Sequence, residues 1–417
     1  MTKTYKLPIG PAHVGLKEPV TAWLELEGER IVDATVRPGA IHRGIEYMSR
    51  DRNPIQVIYL AERVCGICSF SHAIAFVKAV EDAAGIDVPV RGQYIRSLVL
   101  ELERVHSHIL WCSVACYSIG FDSGFHLGMA LREKVMDVLE ALTGNRVNYA
   151  VTTVGGVRWD VTPAVARAVT DLVAYYRNEF QPFYDAVIDD PVIVARLRNV
   201  GVLPPEDAVK LCALGPTSRG SGIRADVRES APYDAYADIP VKAVVPQDYF
   251  GEVHGDVLDR FLVRLMETYQ SLDLLEAILA NLPAGPVTFE PKPAKLLSLL
   301  KNASGVGYGC IEAPRGDTTH VVELRAGEEN IYWWKLRAPT YSSAQAWRMM
   351  FIGDDLGDAP LIINSIDPCI SCMERVIVTD RAAGSETVYT KEELLKKCRA
   401  KTAALRASFG QAEGGMR

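Results

Sequence analysis

The chain has 417 residues, 48% of them hydrophobic and 23% charged, with 32 glycines and 23 prolines. That mixture is too apolar for a disordered chain and too poor in Pro and Gly for a low-complexity one, and the length allows two or three domains or one large one. With 45 Lys and Arg against 52 Asp and Glu the net charge is −7, which argues against a nucleic-acid partner, because phosphate contacts need a basic footprint.

The opening residues Met1-Thr2-Lys3-Thr4-Tyr5-Lys6 lead to Pro8 and Gly10 without an apolar stretch of signal-peptide type. No apolar run reaches the roughly 18–20 residues that span a bilayer, so a cytoplasmic protein is the expectation. Residues 20–36 alternate around Gly28-Glu29 as a β-hairpin. Beyond Pro54, residues 55–60 read as a short helix running into Cys65-Gly66-Ile67-Cys68. Ser69 or Ser71 is placed to cap a helix that ends at Ala83-Ala84-Gly85. Helical patterns follow over about 91–116 and 125–143, and another starts at Pro163 after Thr162. Residues 215–222 read as a loop, and a long amphipathic helix is predicted over 255–281. A second hairpin is predicted where 321–324 and 331–336 flank 327–330, and 342–351 reads as helical. Asp367-Pro368 opens a turn that holds Cys369 and Cys372, and Thr390-Lys391-Glu392-Glu393 is a capping box before a charged helix over about 391–408. Helices dominate, with two small sheets; there is no internal repeat and no clean linker.

Nine cysteines (65, 68, 112, 116, 212, 310, 369, 372 and 398) make an odd count, and in a cytoplasmic protein disulfides are not expected. Two Cys-x-x-Cys pairs stand out, Cys65/Cys68 and Cys369/Cys372, far outside the roughly 15–20-residue spacing of a zinc ribbon. One such pair alone reads equally as a redox couple or as two small buried hydrophobes. Two pairs whose thiolates converge suit a soft or borderline metal: zinc, nickel or iron. Cys112 and Cys116, one helical turn apart, read as buried small hydrophobes, as do Cys212, Cys310 and Cys398. His106 and His108 lie two apart on a predicted helix and so on different faces, a poor chelating pair. Trp333-Trp334 reads as packing or an interface anchor.

A structural zinc site needs four ligands and little around them. Here the first pair lies in Arg63-Val64-Cys65-Gly66-Ile67-Cys68-Ser69-Phe70-Ser71-His72 and the second in Asp367-Pro368-Cys369-Ile370-Ser371-Cys372. Together these strings resemble the RxCGxCxxxH and DPCxxC motifs of NiFe-hydrogenase large subunits. Glu312-Ala313-Pro314-Arg315-Gly316, Arg337-Ala338-Pro339-Thr340 and Arg43-Gly44-Ile45-Glu46 extend the resemblance from about residue 10 to 375. The start, Gly10-Pro11-Ala12-His13, resembles the membrane-associated, energy-converting subgroup related to respiratory complex I, whose own homologous subunit lacks the four cysteines.

The resemblance implies an α+β, mostly helical fold with a central helix bundle and small peripheral β-hairpins. It implies one domain over 1–375 and an extension over 376–417, either cleaved after Arg375 once nickel is inserted or retained as a partner-docking tail. The implied activity is reversible reduction of protons to H2 at a Ni–Fe centre whose iron carries CO and cyanide. Cys65 and Cys369 would be terminal nickel ligands, and Cys68 and Cys372 would bridge the two metals. The proton of heterolytic splitting would pass to Cys369 or a nearby group and leave through Glu18, 47 residues before Cys65. Arg315, after Pro314, would hang over the metals. Thr340 would donate to a cyanide nitrogen or serve as a plain helix cap, Asp367 would pair with Arg315 or orient a ligand, and His72 would hydrogen-bond a bridging sulfur. Glu46 stands where the uptake enzymes hold a remote magnesium or iron ion, but Arg375 replaces the histidine that completes that site, so an ion pair such as Glu46–Arg375 is the alternative.

The implied partners are a small subunit with a proximal 4Fe-4S cluster, a ferredoxin-like subunit, ion-translocating membrane subunits, and ferredoxin as electron donor. This chain offers no further cysteine set for an iron–sulfur cluster. It would attach peripherally to the cytoplasmic face of the membrane through those partners. The competing readings are a sulfur- or polysulfide-reducing subunit, a quinone-reducing complex I-like subunit, and a structural four-cysteine zinc protein.

Overall fold

The computed structural model describes residues 4–373 and 390–414. The chain divides into two units, Met1–Glu374 and Arg375–Arg417. In the second, a helix over Lys391–Gly414 starts at the expected capping box: Glu393 N donates to Thr390 Oγ1 (3.3 Å) and Thr390 N to Glu393 Oε2 (2.8 Å). The strands and helices that follow belong to the first unit.

Its N-terminal sheet is antiparallel, with β1 (Thr4–Ile9) on β2 (Thr21–Glu27) and β2 on β3 (Arg30–Arg37). The expected hairpin is β2–β3, and its Ala22, Leu24 and Leu26 point inward. β1 was not expected; Pro8 is tolerated there because β1 is an edge strand.

Helix α1 (Pro54–Glu62) begins with proline at its first position and an Asn53/Gln56 capping box. A turn carrying Cys65 and Cys68 leads into α2 (Ser69–Ala84), which ends at Gly85 in the left-handed region, φ 63°. Neither Ser69 nor Ser71 caps α2. Phe70 N and Ser71 N instead donate to the Glu103 carboxylate at 2.7 and 3.0 Å, so the cap comes from the next helix. α3 (Val90–Ser118) and α4 (Asp122–Thr143) fill the two long predicted helices, and α5 (Pro163–Glu179) starts on Thr162, whose Oγ1 accepts from Val165 N.

Residues 215–219 form a short helical turn rather than the expected loop, because Arg219 is drawn into the core by Glu267 and Glu312. The last long helix of the unit, α6 (Val257–Ala280), is not amphipathic over its first half, where Asp259, Arg260 and Arg264 are buried along with the apolar positions. α3 and α6 pack side by side, joined by ionic groups: Glu101 and Arg104 of α3, Glu267 of α6, and Arg219 and Arg228 between them.

The second large sheet comprises β4 (Gly305–Ala313), β5 (Gly316–Leu324) and β6 (Trp333–Arg337). The expected hairpin is β5–β6, and β4 is an addition. β4 lies directly on α2: a Cβ at Gly307 would stand 2.1 Å from Ala79 O, and one at Gly309 1.9 Å from Ala75 O. A two-stranded piece over Thr152–Thr153 and Gly156–Val157 is a third sheet, beyond the two expected. The predicted helix over 342–351 is broken into Thr340–Ser343, a 3-10 turn and Trp347–Phe351. Cys112 and Cys116 are buried as expected, but Cys212 and Cys398 are exposed and Cys310 is half-buried. No helix among the described residues is long and apolar enough to cross a membrane.

Candidate metal centre

Three segments remote in sequence meet at the cysteines. The first pair sits on the α1–α2 turn. The second sits on the 3-10 turn Ile370–Cys372, entered through Asp367 at φ 55°. The third segment is the β4–β5 hairpin, whose tip places Arg315 in the interior. Arg43 ties the two cysteine turns together, donating to Arg63 O (2.7 Å) and Val64 O (2.5 Å) of one and Ser371 O (2.9 Å) of the other.

The four sulfurs of Cys65, Cys68, Cys369 and Cys372 all lie within 4.8 Å of one another and are buried. Cys65 Sγ is 3.2 Å from Cys369 Sγ, which is 3.8 Å from Cys68 Sγ. Among the described residues this is the one group of three or more His, Cys, Asp or Glu side chains that could hold a metal ion. Hydrogen bonding with Cys369, Cys372 and Cys68, helped by the Arg315 guanidinium, pulls the Cys65 thiol well below its ordinary range. Its hydrogen bond with Cys369 pushes Cys68 up, and burial pushes Cys372 up. By themselves, therefore, the sulfurs do not all ionise; a soft cation in their midst would release the remaining protons. Four buried thiols fit nickel, iron or zinc and are unsuited to magnesium or calcium.

The surroundings exceed what a structural zinc site uses. Arg315 donates through Nη2 to Asp367 Oδ1 (2.9 Å) and through Nε to Asp367 O (3.1 Å), the expected pair. Lys17 Nζ donates to the same Oδ1 at 2.6 Å. Burial would raise the Asp367 carboxyl, but Arg315, Lys17 and Arg264 outweigh it and hold it at about 2. Glu18 Oε2 accepts from Ser371 N at 2.9 Å, between the two cysteines of the second pair. Burial, with the negative Cys65 adding to it, pushes the Glu18 carboxyl up to about 7 against Arg315 and Lys17. His72 Nε2 lies 3.1 Å from Cys372 Sγ.

Pro314 sets the hairpin tip that carries Arg315 inward. Thr340 is the first residue of its helix rather than the cap, which is Pro339. Its Oγ1 accepts from Cys369 N at 2.9 Å, leaving its own O–H to donate. Glu46 is not drawn to the cysteines: it accepts from Leu336 N (3.1 Å) and pairs with Lys335, while the expected partner Arg375 lies outside the described residues. His106 and His108 are both buried; His108 meets Glu267 at 2.8 Å and His106 meets Tyr149 at 3.2 Å. Sequence reading missed Lys17 and His320, each recognisable only from a partner hundreds of residues away, and it named Arg43 only as part of a motif, without its role in joining the two cysteine turns.

Four convergent thiols framed by a buried arginine, a carboxyl and a histidine suit the class of nickel-dependent hydrogenase large subunits and their respiratory relatives. Residues 43–113 match the family described as nickel-dependent hydrogenase, and residues 118–375 match that described as the 49 Kd subunit of respiratory-chain NADH dehydrogenase. The chain belongs to the NiFe-hydrogenase large-subunit family, in its membrane-bound, energy-converting branch related to the complex I 49 kDa-type subunit. It is 45% identical to the membrane-bound hydrogenase subunit alpha of Pyrococcus furiosus, over 94% of this chain and 92% of that one. It is 38% identical to formate hydrogenlyase subunit 5 of Escherichia coli, over 94% of this chain and 66% of that protein. A chain of the membrane-bound sulfane sulfur reductase, an archaeal respiratory membrane complex, superposes with a TM-score of 0.82 at 30% identity, covering 89% of this chain and 98% of that one.

Proposed function

We propose that this chain is the catalytic subunit of a membrane-associated, energy-converting hydrogenase that interconverts protons and H2. The observation that carries the reading is the convergence of Cys65, Cys68, Cys369 and Cys372 in one buried site beside Arg315 and His72. Cys65 and Cys369 would hold nickel, and Cys68 and Cys372 would hold it together with an iron bearing CO and cyanide. When bound, such a pair supplies the polarisation that cleaves H2 and the route by which its electrons leave.

The chain's own residues handle charge and protons. With a metal bound, Cys369 would be the thiolate base adjacent to the reacting molecule, and Glu18, on the Ser371 N–H, would take the proton onward. A carboxyl near 7 both accepts and releases a proton around neutral pH. Arg315 cannot lose its proton, and its salt bridge to Asp367 fixes the guanidinium in place, so it offers a permanent positive charge to cyanide or substrate. The Thr340 O–H has a geometry-fixed oxygen from which to donate. A buried centre must exchange electrons, which points to a small partner subunit with a proximal 4Fe-4S cluster, fed by ferredoxin through a ferredoxin-like subunit. Ion-translocating membrane subunits complete the complex, and the chain docks on the cytoplasmic face through its partners. The membrane-bound relatives support that arrangement.

The test is metal analysis with infrared spectroscopy of the purified complex, in the window where metal-bound CO and cyanide absorb and amides do not. Nickel and iron with those bands, and H2 from reduced ferredoxin, are expected. Zinc with a silent window in matured protein rejects the reading. The structural likeness to a sulfane sulfur reductase supports a second reading: sulfide produced from polysulfide, with no H2, would select it.

A further inference from the structure

The first hydrogenase motif ends at His72, and the structure continues from that ring in a direction the motif does not describe. His72 Nδ1 lies 3.1 Å from His320 Nε2, and Trp334 Nε1 lies 3.2 Å from His320 Nδ1. All three side chains are buried. His72 lies on α2, His320 on β5 and Trp334 on β6, and the row is packed from behind by Phe76, one helical turn after His72, edge-on to Trp334 at 5.3 Å.

We propose that Trp334 and His320 are positioning residues that fix the tautomer of His72, so that Cys372 Sγ always faces an N–H and never a lone pair. The proposal rests on the reading of Cys372 as a ligand of the centre, but its logic is that of donors and acceptors. An indole nitrogen can only donate. His320 Nδ1 must therefore accept, which places the hydrogen of that neutral ring on Nε2. Nε2–H points at His72 Nδ1, which must accept in turn, and the His72 hydrogen is left on Nε2, 3.1 Å from the sulfur. A second proton on either ring would set two N–H groups face to face.

One consequence follows for the site. The Cys372 sulfur carries a permanent hydrogen bond that draws electron density from it, as the groups around a metal thiolate do.

Nitrogen NMR of the full chain labelled with 15N-histidine reads which ring nitrogen carries hydrogen. His72 and His320 are expected as pure Nε2–H tautomers. Trp334→Phe, which keeps the packing but loses the donor, should leave His72 a mixture. His320→Leu should do the same, whereas His320→Gln, which can accept from Trp334 and donate to His72, should restore the pure form. In the nickel–iron complex the CO band should shift in the two disrupting variants and return in His320→Gln. His72 with its hydrogen on Nδ1, or a His72 spectrum indifferent to both Trp334→Phe and His320→Leu, overturns the proposal. If the chain binds no nickel and iron while the tautomers behave as described, the functional reading fails and this inference stands.

Discussion

Glu18 shows how one residue's role is set by its surroundings. It precedes Pro19 in a segment without secondary structure, where a glutamate is ordinarily solvated, yet it is half-buried, and the loss of water around it pushes its carboxyl up to about 7. Glu18→Gln keeps the size and an oxygen to accept from Ser371 N but cannot carry a proton. Turnover should fall roughly 10²-fold or more, with nickel and iron content and melting temperature unchanged; full activity in that variant would remove Glu18 from the proton route. Glu18 was legible only by counting back from Cys65 along the motif frame. Its neighbour Lys17 was not legible at all, because its ammonium finds its carboxylate 350 residues away. The cysteines were the opposite case, since residue type and spacing announce thiolate chemistry before any fold is known.

At the scale of elements, what the sequence made legible was local. Thr162 with the proline after it, and Gly85, mark helix ends through bonds to residues three or four away. The cap of α2 escaped because Glu103 supplies it from another helix. Strand β4 escaped because Gly305, Gly307 and Gly309 weaken any β signal, and their reason lies across the interface, in the backbone of α2. That contact is testable. Gly309→Ala places a methyl against Ala75 O and should cost about 3 kcal/mol, lowering the melting temperature and disturbing the ring pair His72–His320. Gly357→Ala meets no atom within 4 Å and should change stability by less than about 0.5 kcal/mol. Equal melting temperatures for the two variants would refute the tight β4–α2 packing.

For the whole molecule, the buried ionisable groups shape the dependence of stability on pH. Burial pushes Glu62 up to about 7 and Asp354 up to about 6. The folded chain therefore keeps protons that the unfolded chain releases near its ordinary carboxyl range, and the stability they add is lost as pH rises through the folded values. The buried histidines work in the opposite sense: His72, His106 and His108 are held at about 4, 3 and 4. Their effect is confined to pH below roughly 6.5, where the unfolded rings become charged. Above that point the raised carboxyls lower stability as pH rises, while the Cys65 thiol, held well below its ordinary range, works in the opposite sense. The share of Glu62 is therefore read by difference: between pH 6.5 and 8 the Glu62→Gln variant should gain roughly 1 kcal/mol on the parent chain, and urea midpoints that change in parallel for the two would contradict the burial of Glu62. The mostly helical class was legible from the patterns along the chain and from the motif resemblance. The ionic interior of α3 and α6 was not, because a charged residue reads as solvent-facing until its partners across the bundle are known.

Cys65 and Cys369 are 304 residues apart. Anything gripped by all four sulfurs would join the two ends of the first unit and turn most of the chain into a ring. Held in the unfolded state, a link across that span would remove chain entropy worth roughly 6 kcal/mol, comparable to the whole stability of a small domain. The catalytic centre would then also be the clasp of the fold, and a chain emptied of it would unfold more readily as well as fall silent.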